Sequence, residues 1–418
     1  MPLNIRLILM NFLEFAVWGA YLTSMGTYLG ESGHGDIIGW FYSVQGIASI
    51  ITPGLMGVIA DRWIPAQRLL SLCHLLSGAF MVAAGMHGMQ DSYNTGILFI
   101  LYTCGVAFYM PTLALANAVA FNALQRAELD TVKAFPPIRV FGTVGFICAM
   151  WLTDICGFQP TSHQFTLSGV ICLLLAAYAL TLPPVPIKAV TSERRSLIQA
   201  LGLDALTLFR RRDMAMFFLF SMLLGVSLQI TNGYANPYIT SFKDIPQYAH
   251  TFGAEHANIL ISLSQVSETF CILLIPFFMK RFGIRRVMMI AMAAWVLRFS
   301  FFALGNPGSG VWLFVLSCLV YGVAFDFFNI SGALYVDEYV SKDIRSSAQG
   351  LFQIMTAGFG AAIGTLGAQW VVNTFVDFSA PEAEQLIGWR TCWHIFAAYA
   401  FVILVLFAIA FRRKTSQK

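Results

Sequence analysis

Three carboxylates, Glu14, Glu268 and Asp326, lie inside apolar stretches that are long enough to cross a bilayer. An ionised carboxylate in the centre of a membrane costs roughly 3 kcal/mol or more, so it usually faces a water-filled cavity, holds a partner or carries a proton. We therefore expect these residues to take part in moving an ion or a solute. Asp326 is the first choice for the proton site, and Glu268 and Glu14 are the other candidates.

Other polar and aromatic residues share helical faces with these carboxylates. Gln265 and Glu268 are three residues apart, and Tyr321 and Phe325 adjoin Asp326 at helical spacing. Amides and carboxylates can bond the edges of a flat ring and its hydroxyls, and aromatic faces can stack on it. The predicted substrate site comprises Arg139, Thr143, Phe146, Gln229, Asn232, Gln265, Glu268, Tyr321, Phe325 and Asp326.

Several intramembrane polar residues have a structural interpretation that the sequence leaves open. Asn11 and Asn236 could form hydrogen bonds between helices, as amides in membrane spans often do. Arg139 could extend to the inner interface, with its stem along apolar surface. Arg298, near the outer end of its stretch, is interpreted as structural.

The composition excludes a soluble protein of ordinary type. The chain has 418 residues, of which 58% are hydrophobic and 11% charged, with a mean hydropathy of +0.71. Soluble domains carry about 25% charged residues. The apolar runs do not alternate as the strands of a membrane barrel do. We predict an all-α polytopic membrane protein.

Twelve spans are predicted, and they are numbered in chain order: 7–29, 37–60, 67–88, 96–121, 139–160, 165–183, 213–240, 257–279, 286–304, 311–336, 345–371 and 389–411. Lys243 and Arg390 fall in outer loops, and Arg139 and Arg298 lie at or within spans. Every other Lys and Arg falls in an inner loop or a tail if the N-terminus is inside. The positive-inside rule thus predicts a bacterial cytoplasmic membrane protein with both termini cytoplasmic.

The chain divides in the middle. The prediction is a six-helix bundle over 1–183, a linker over 184–212 and a second bundle over 213–418, with an interfacial helix at 197–209. Basic turns after spans 2 and 8 lie about 220 residues apart, which predicts two pseudo-symmetric bundles with a site between them. Glycines 358, 360, 364 and 367 of span 11 predict close helix contacts.

The turn after span 2 reads Gly57-x-x-x-Asp61-Arg62 and resembles the loop 2–3 signature of the major facilitator superfamily. The chain departs from the usual Gly-Arg-Arg at the later positions of that signature. A charge network in such a turn can latch neighbouring helices, so we predict a gating role for Asp61 and Arg62.

Four longer motifs resemble the bacterial nucleoside:H⁺ symporter family of that superfamily. They are Phe135-Pro-Pro-Ile-Arg-Val-Phe-Gly-Thr-Val-Gly-Phe146, Leu228-Gln-Ile-Thr-Asn232, Ser264-Gln-Val-Ser-Glu-Thr269 and Tyr321-Gly-Val-Ala-Phe-Asp-Phe-Phe-Asn-Ile-Ser-Gly332. The resemblance implies proton-driven uptake of purine and pyrimidine ribonucleosides by alternating access, with the substrate residues named above. It also implies Gln at the position of Glu14, so this carboxylate is a departure.

Other functions are less well supported by the sequence. An uncoupled facilitator, or an exporter of a sugar or a drug on the same fold, remains the alternative. The seven histidines show no paired metal spacing, and no nucleotide-binding motif occurs, so we expect no enzyme, metal or cofactor. The eight cysteines are interpreted as apolar thiols. The expected partners are a nucleoside, a proton and the lipid bilayer, with no nucleic acid, and the chain is expected to be a monomer.

Overall fold

The computed structural model describes residues 2–185, 203–341 and 344–410, without the side chains of residues 61, 62, 132, 203, 204 and 346. In lipid every backbone N–H and C=O must be bonded within its own segment, so continuous apolar sequence forms helices. Helices occupy all twelve predicted spans, and the described ranges contain no strand. Among these residues, nine helices are long and apolar enough to cross a membrane, and His163–Ala179 is a shorter apolar helix.

The helices take the numbers of the spans they form. In the first half they are Leu3–Gly19 and Met25–Glu31 (span 1), Ile38–Arg62 (2), Ala66–Gly88 (3), Thr95–Tyr109 and Thr112–Arg126 (4), Thr131–Ile155 (5) and His163–Ala179 (6). In the second half they are Arg212–Thr240 (7), Ala257–Leu304 (8 and 9), Val311–Tyr339 (10), Arg345–Gln353, Ile354–Gly360 and Ala361–Phe375 (11) and Glu382–Ala410 (12).

Several spans are interrupted where the sequence predicted continuous helices. A turn over residues 20–24 divides span 1, and span 4 breaks before Thr112. Pro111, which has no backbone N–H to donate, lies at the second break. Spans 8 and 9 join at Gly283, whose φ of 74° suits a residue without a Cβ. Ile354–Gly360 in span 11 is a π-helical segment.

The chain forms two compact units, Met1–Leu201 and Gly202–Lys418. Much of the predicted linker lies outside the described residues, including the first part of the predicted interfacial helix. The described remainder of that helix is a short 3₁₀ helix, Leu203–Arg210.

The two units have the same internal pairing of helices. Span 1 packs against span 5, and a Cβ added at Gly145 would meet the carbonyl oxygen of Phe12 at 2.0 Å. Span 7 packs against span 11, and a Cβ at Gly225 would meet the carbonyl oxygen of Thr356 at 2.1 Å. In both units the first and fifth helices therefore approach through a glycine, as small residues allow in membranes.

Candidate functional site

Spans 8 and 10 meet at a glycine beside several predicted site residues. A Cβ added at Gly322 would lie 2.7 Å from the carbonyl oxygen of Ser267 and 2.8 Å from the backbone nitrogen of Glu268. The Ser267 hydroxyl also donates to the carbonyl oxygen of Leu319 on span 10. This close approach brings Glu268 to the helix that carries Asp326.

The two carboxylates of this junction form an electrostatic pair. Asp326 is buried, with 3% of its surface exposed, and its Oδ2 has no hydrogen-bond partner. Glu268 is half-buried and interacts electrostatically with Asp326. Two carboxylates that interact in this way repel one another when both are ionised, and a proton on either one removes the repulsion. The pair can therefore take up and release a proton.

Gln265, on span 8, has the second unpaired acceptor of this junction. Its side chain is half-buried, yet its Oε1 is shielded from solvent and has no partner. Leaving a buried acceptor unpaired costs about 1–3 kcal/mol. A ligand that brings an N–H or O–H to this oxygen would recover that free energy.

Span 10 supplies a pair of stacked rings beside these polar groups. The rings of Tyr321 and Phe325 lie 5.8 Å apart at 16°, and Trp295 meets Tyr321 edge-on at 6.1 Å. Tyr321 is buried, whereas Phe325 is half-buried. Phe325 thus retains accessible surface on which a flat ligand can pack.

Arg298 is fully buried and links three helices of the second unit. Its guanidinium donates to the Ser317 carbonyl oxygen at 2.5 Å, to Ser264 Oγ at 3.3 Å and to Thr231 Oγ1 at 3.4 Å. It also lies over the Tyr321 ring, with Cζ 4.6 Å from the centroid. Sequence analysis interpreted Arg298 as structural, although its position inside a span was the signal that could have placed it here.

The bonds of Arg298 end next to predicted site residues. Thr231 precedes Asn232, Ser264 precedes Gln265, and Ser317 lies one turn before Tyr321. Both predicted residues of span 7, Gln229 and Asn232, are half-buried.

Asn236, a further polar residue of span 7, donates to Asn258 Oδ1 on span 8 at 2.6 Å. This contact is the bond between helices that the sequence left open for Asn236. The other amide considered for such a bond, Asn11, instead donates to the Leu7 carbonyl oxygen of its own helix.

The predicted residues of the first unit lie on span 5, where it packs against span 1. Phe146 is buried and meets Trp18 edge-on at 6.5 Å. Arg139 and Thr143 are half-buried, and Arg139 Cζ lies 3.8 Å from the centroid of the Phe15 ring. The guanidinium therefore stacks on an aromatic ring of span 1.

Glu14 is fully buried and held by two helices. Its Oε2 lies 2.8 Å from His74 Nε2 on span 3, and its Oε1 lies 2.6 Å from the Thr112 hydroxyl on span 4. Sequence analysis missed His74, because it is 60 residues from Glu14 and no local spacing connects the two.

Two predictions concern groups that the structure does not place. Asp61 and Arg62 end span 2, and their side chains lie outside the described part of the chain. Within the described ranges, no group of three or more His, Cys, Asp or Glu residues could hold a metal ion.

The chain matches the family model described as nucleoside H⁺ symporter over residues 1–416. It is 44% identical to xanthosine permease of Escherichia coli strain K12, covering 99% of this chain and 96% of the relative. It is 41% identical to nucleoside permease NupG of the same strain, covering 99% of this chain and 97% of the relative.

Solved structures of transporters share the fold. A crystal structure of nucleoside transporter NupG superposes with a TM-score of 0.90 at 41% identity, covering 99% of this chain and all of that one. A D-xylose–proton symporter superposes at 0.67 with 13% identity, covering 96% of this chain and 98% of that one. These similarities confirm the predicted all-α fold of the major facilitator superfamily.

Proposed function

Since this chain belongs to the nucleoside H⁺ symporter family, we propose that it takes up purine and pyrimidine ribonucleosides together with protons across the inner membrane. Its relatives are named permeases, and no enzymatic role is proposed. The observation that carries the assignment is the junction of spans 8 and 10. Two unpaired buried oxygens, on Gln265 and Asp326, lie there with a stacked aromatic pair.

In this proposal the second unit binds the nucleoside through complementary surfaces. Phe325 packs on the base, because its ring stacks on Tyr321 and still has accessible area. Gln265 Oε1 and Glu268 accept hydrogen bonds from the base edge or the ribose hydroxyls. A neutral ligand with several donors suits such acceptors, since their pairing recovers the cost of burial.

The remaining substrate contacts are proposed on spans 5 and 7. Arg139, Thr143 and Phe146 form the contribution of the first unit, with the Arg139 guanidinium oriented by its stacking on Phe15. Gln229 and Asn232 contribute from span 7, where both retain accessible surface. Amides at these positions can each donate to the ligand and accept from it.

Asp326 is proposed as the proton-coupling residue. It is more deeply buried than Glu268, and its Oδ2 has no partner that would hold it ionised. Because Glu268 repels an ionised Asp326, binding of a proton stabilises the loaded site. Coupling follows if the state that holds both proton and nucleoside changes conformation more readily than either half-loaded state.

Alternating access is proposed to involve the two bundles as separate bodies. Both termini are assigned to the cytoplasm on the distribution of Lys and Arg. Asp61 and Arg62, at the inner end of span 2, are proposed to take part in gating. The chain is proposed to act as a monomer in the lipid bilayer.

The test is uptake of radiolabelled uridine into proteoliposomes, with and without an inward proton gradient. Adenosine, guanosine, xanthosine and glucose serve as competitors, and protein-free liposomes serve as the blank. We expect accumulation that requires the gradient and is competed by nucleosides but not by glucose. Equal uptake without the gradient would make the protein a facilitator, and no uptake of any nucleoside would refute the proposal.

A further inference from the structure

We propose that Glu14, His74 and Thr112 form a second proton-binding site, inside the first unit. This inference rests on the proposed symport, and it assigns a role to a histidine that sequence spacing did not single out. Glu14 and His74 are fully buried, and Glu14 Oε2 lies 2.8 Å from His74 Nε2. Thr112 is also fully buried and lies 2.6 Å from Glu14 Oε1.

The hydrogen bonds around Thr112 indicate a proton on Glu14. The Thr112 hydroxyl lies 2.6 Å from Glu14 Oε1 and 2.5 Å from the carbonyl oxygen of Tyr109. A hydroxyl has one hydrogen and can donate to only one of these oxygens. Both contacts are hydrogen bonds when a protonated Glu14 donates to Thr112 and Thr112 donates to Tyr109.

The surroundings of His74 fit the same state. His74 Nε2 lies 2.8 Å from Glu14 Oε2, and the Cys172 thiol on span 6 is the other polar group beside the ring. A neutral ring with its hydrogen on Nε2 donates to Glu14, and its Nδ1 can accept from the thiol. The surroundings of His74 thus accommodate a neutral histidine beside a protonated carboxyl.

The other titratable groups around Glu14 come from each helix packed near it. Cys73 on span 3 and Tyr109 on span 4 interact electrostatically with Glu14. Cys172 on span 6 lies beside His74. Tyr109 also interacts electrostatically with Arg139 on span 5, which stacks on Phe15. Tyr109 thus lies between Glu14 and a predicted substrate residue of the same unit in this set of interactions.

Loss of the proton changes one hydrogen bond at a break in a helix. An ionised Glu14 accepts from Thr112, so the hydroxyl turns away from the Tyr109 carbonyl oxygen. Tyr109 is the last residue of Thr95–Tyr109, and Thr112 is the first of Thr112–Arg126. The proton thus controls whether this side-chain bond spans the interruption of span 4 at Pro111. Protonation of Glu14 is thereby coupled to the geometry of span 4 at its interruption.

The test is infrared difference spectroscopy of the purified protein titrated from acid to alkaline pH. We expect a band of a protonated carboxylic acid that persists in the wild type and is lost in Glu14→Gln. The control is Ser71→Ala, on the same helix as His74, which removes a buried hydrogen bond to the Ala176 carbonyl oxygen and leaves the band in place. A spectrum of Glu14→Gln identical to the wild type would overturn the inference.

A matched pair at Thr112 tests the coupling in variants that keep Glu14. The uridine Kd is measured against pH for Thr112→Ser, which keeps the hydroxyl, and for Thr112→Val, which keeps only the shape. We expect Thr112→Ser to follow the wild type and Thr112→Val to lose a pH-dependent change in Kd of about 5-fold or more. Equal pH profiles in the two variants would contradict the coupling.

The two proposals fail in different ways. If the wild type shows no gradient-driven uptake, the symport proposal fails, whereas the infrared band still reports a proton on Glu14. If uptake is gradient-driven and Glu14→Gln loses no carboxylic-acid band, the symport proposal stands and the second proton site is excluded.

Discussion

At the scale of single residues, the burial of Asp326 separates it from the carboxylates at the membrane surface. Asp337, near the end of the same helix, pairs with Arg345 Nη1 at 3.0 Å and is about half exposed. Asp326 has an unpaired oxygen and a like-charged neighbour in Glu268. The environment of Asp326, unlike that of Asp337, makes proton binding depend on the charge of a neighbouring carboxylate.

We predict that Asp326→Asn abolishes accumulation against a gradient and retains exchange of labelled for unlabelled uridine. The amide mimics the protonated carboxyl, so the variant is held in one state of the proton cycle. Both quantities are measured in the same proteoliposomes. Asp337→Asn is the matched control and should accumulate uridine like the wild type. Undiminished accumulation by Asp326→Asn would assign the coupling proton to another residue.

The sequence predicts residues that share one helix better than pairs from different helices. Gln265 and Glu268, or Tyr321 and Phe325, fall on one face because the helical period is fixed. The structure places Tyr321 and Phe325 as a stacked pair. His74 and Glu14 lie 60 residues apart, and only the packing of spans 1 and 3 brings them together.

At the scale of helices, two kinds of buried contact join the helices of the second unit. One is the glycine contact between spans 7 and 11, and the other is the set of bonds made by Arg298. Of the glycines predicted to mediate contacts in span 11, Gly360 and Gly364 do so, with added Cβ atoms 2.6 Å from Met222 O and 2.7 Å from Val226 Cα. The prediction is wrong for Gly367, which has nothing within 4 Å.

We predict that Gly225→Ala destabilises the protein and that Gly367→Ala does not. The new methyl group at position 225 would lie 2.1 Å from a backbone oxygen, so spans 7 and 11 must separate. Overpacking of this kind costs about 1–3 kcal/mol. Thermal unfolding in detergent measures the difference as a lower midpoint for Gly225→Ala alone. Equal midpoints would show that the two helices separate without cost.

We predict that Arg298→Gln raises the KM for uridine by about 10-fold or more, because bonds to a charged group contribute about 1.5–3 kcal/mol. The loss of these bonds frees Thr231 and Ser264, which directly precede the predicted substrate residues Asn232 and Gln265 in the sequence. Arg298→Lys should recover part of the affinity, since it keeps the charge without the planar fork.

Ser300→Ala on the same helix is the control for Arg298, because the one bond of its hydroxyl within the described ranges is to the Val296 carbonyl oxygen of that helix. Initial uptake rates over a range of uridine concentrations separate KM from the maximal rate. If Arg298→Gln lowers the maximal rate and leaves KM unchanged, Arg298 does not position the substrate residues.

At the scale of the whole molecule, the two units place a basic residue at the same point of their repeat. His74, on the third helix of the first unit, bonds Glu14 on the first helix. Arg298, on the third helix of the second unit, bonds Thr231 on that unit's first helix. The fourth helices contribute Thr112 and the Ser317 carbonyl oxygen to these clusters. Both units therefore have a polar cluster at the same place, but the first contains a histidine and a carboxyl group and the second contains an arginine.

The repeat itself was predictable, because the spacing of basic turns and the count of apolar stretches carry it. The helix interruptions were harder to predict. A proline such as Pro53 or Pro276 lies within a continuous helix, whereas Pro111 coincides with a break. The sequence of one helix does not determine which outcome occurs, since neighbouring helices decide whether the freed carbonyl finds another donor.

The buried guanidinium of Arg298 has a consequence for the choice of coupling ion. Among the described residues it has no carboxylate within ion-pair distance, and it lies over the Tyr321 ring, which also interacts electrostatically with Glu268 and Asp326. A metal cation would need several oxygen ligands, whereas the guanidinium beside this site supplies only donors. A proton forms a covalent bond to one oxygen and needs no such shell. Replacing sodium by choline in the uptake assay should therefore leave the initial rate unchanged, and a sodium requirement would contradict this selectivity.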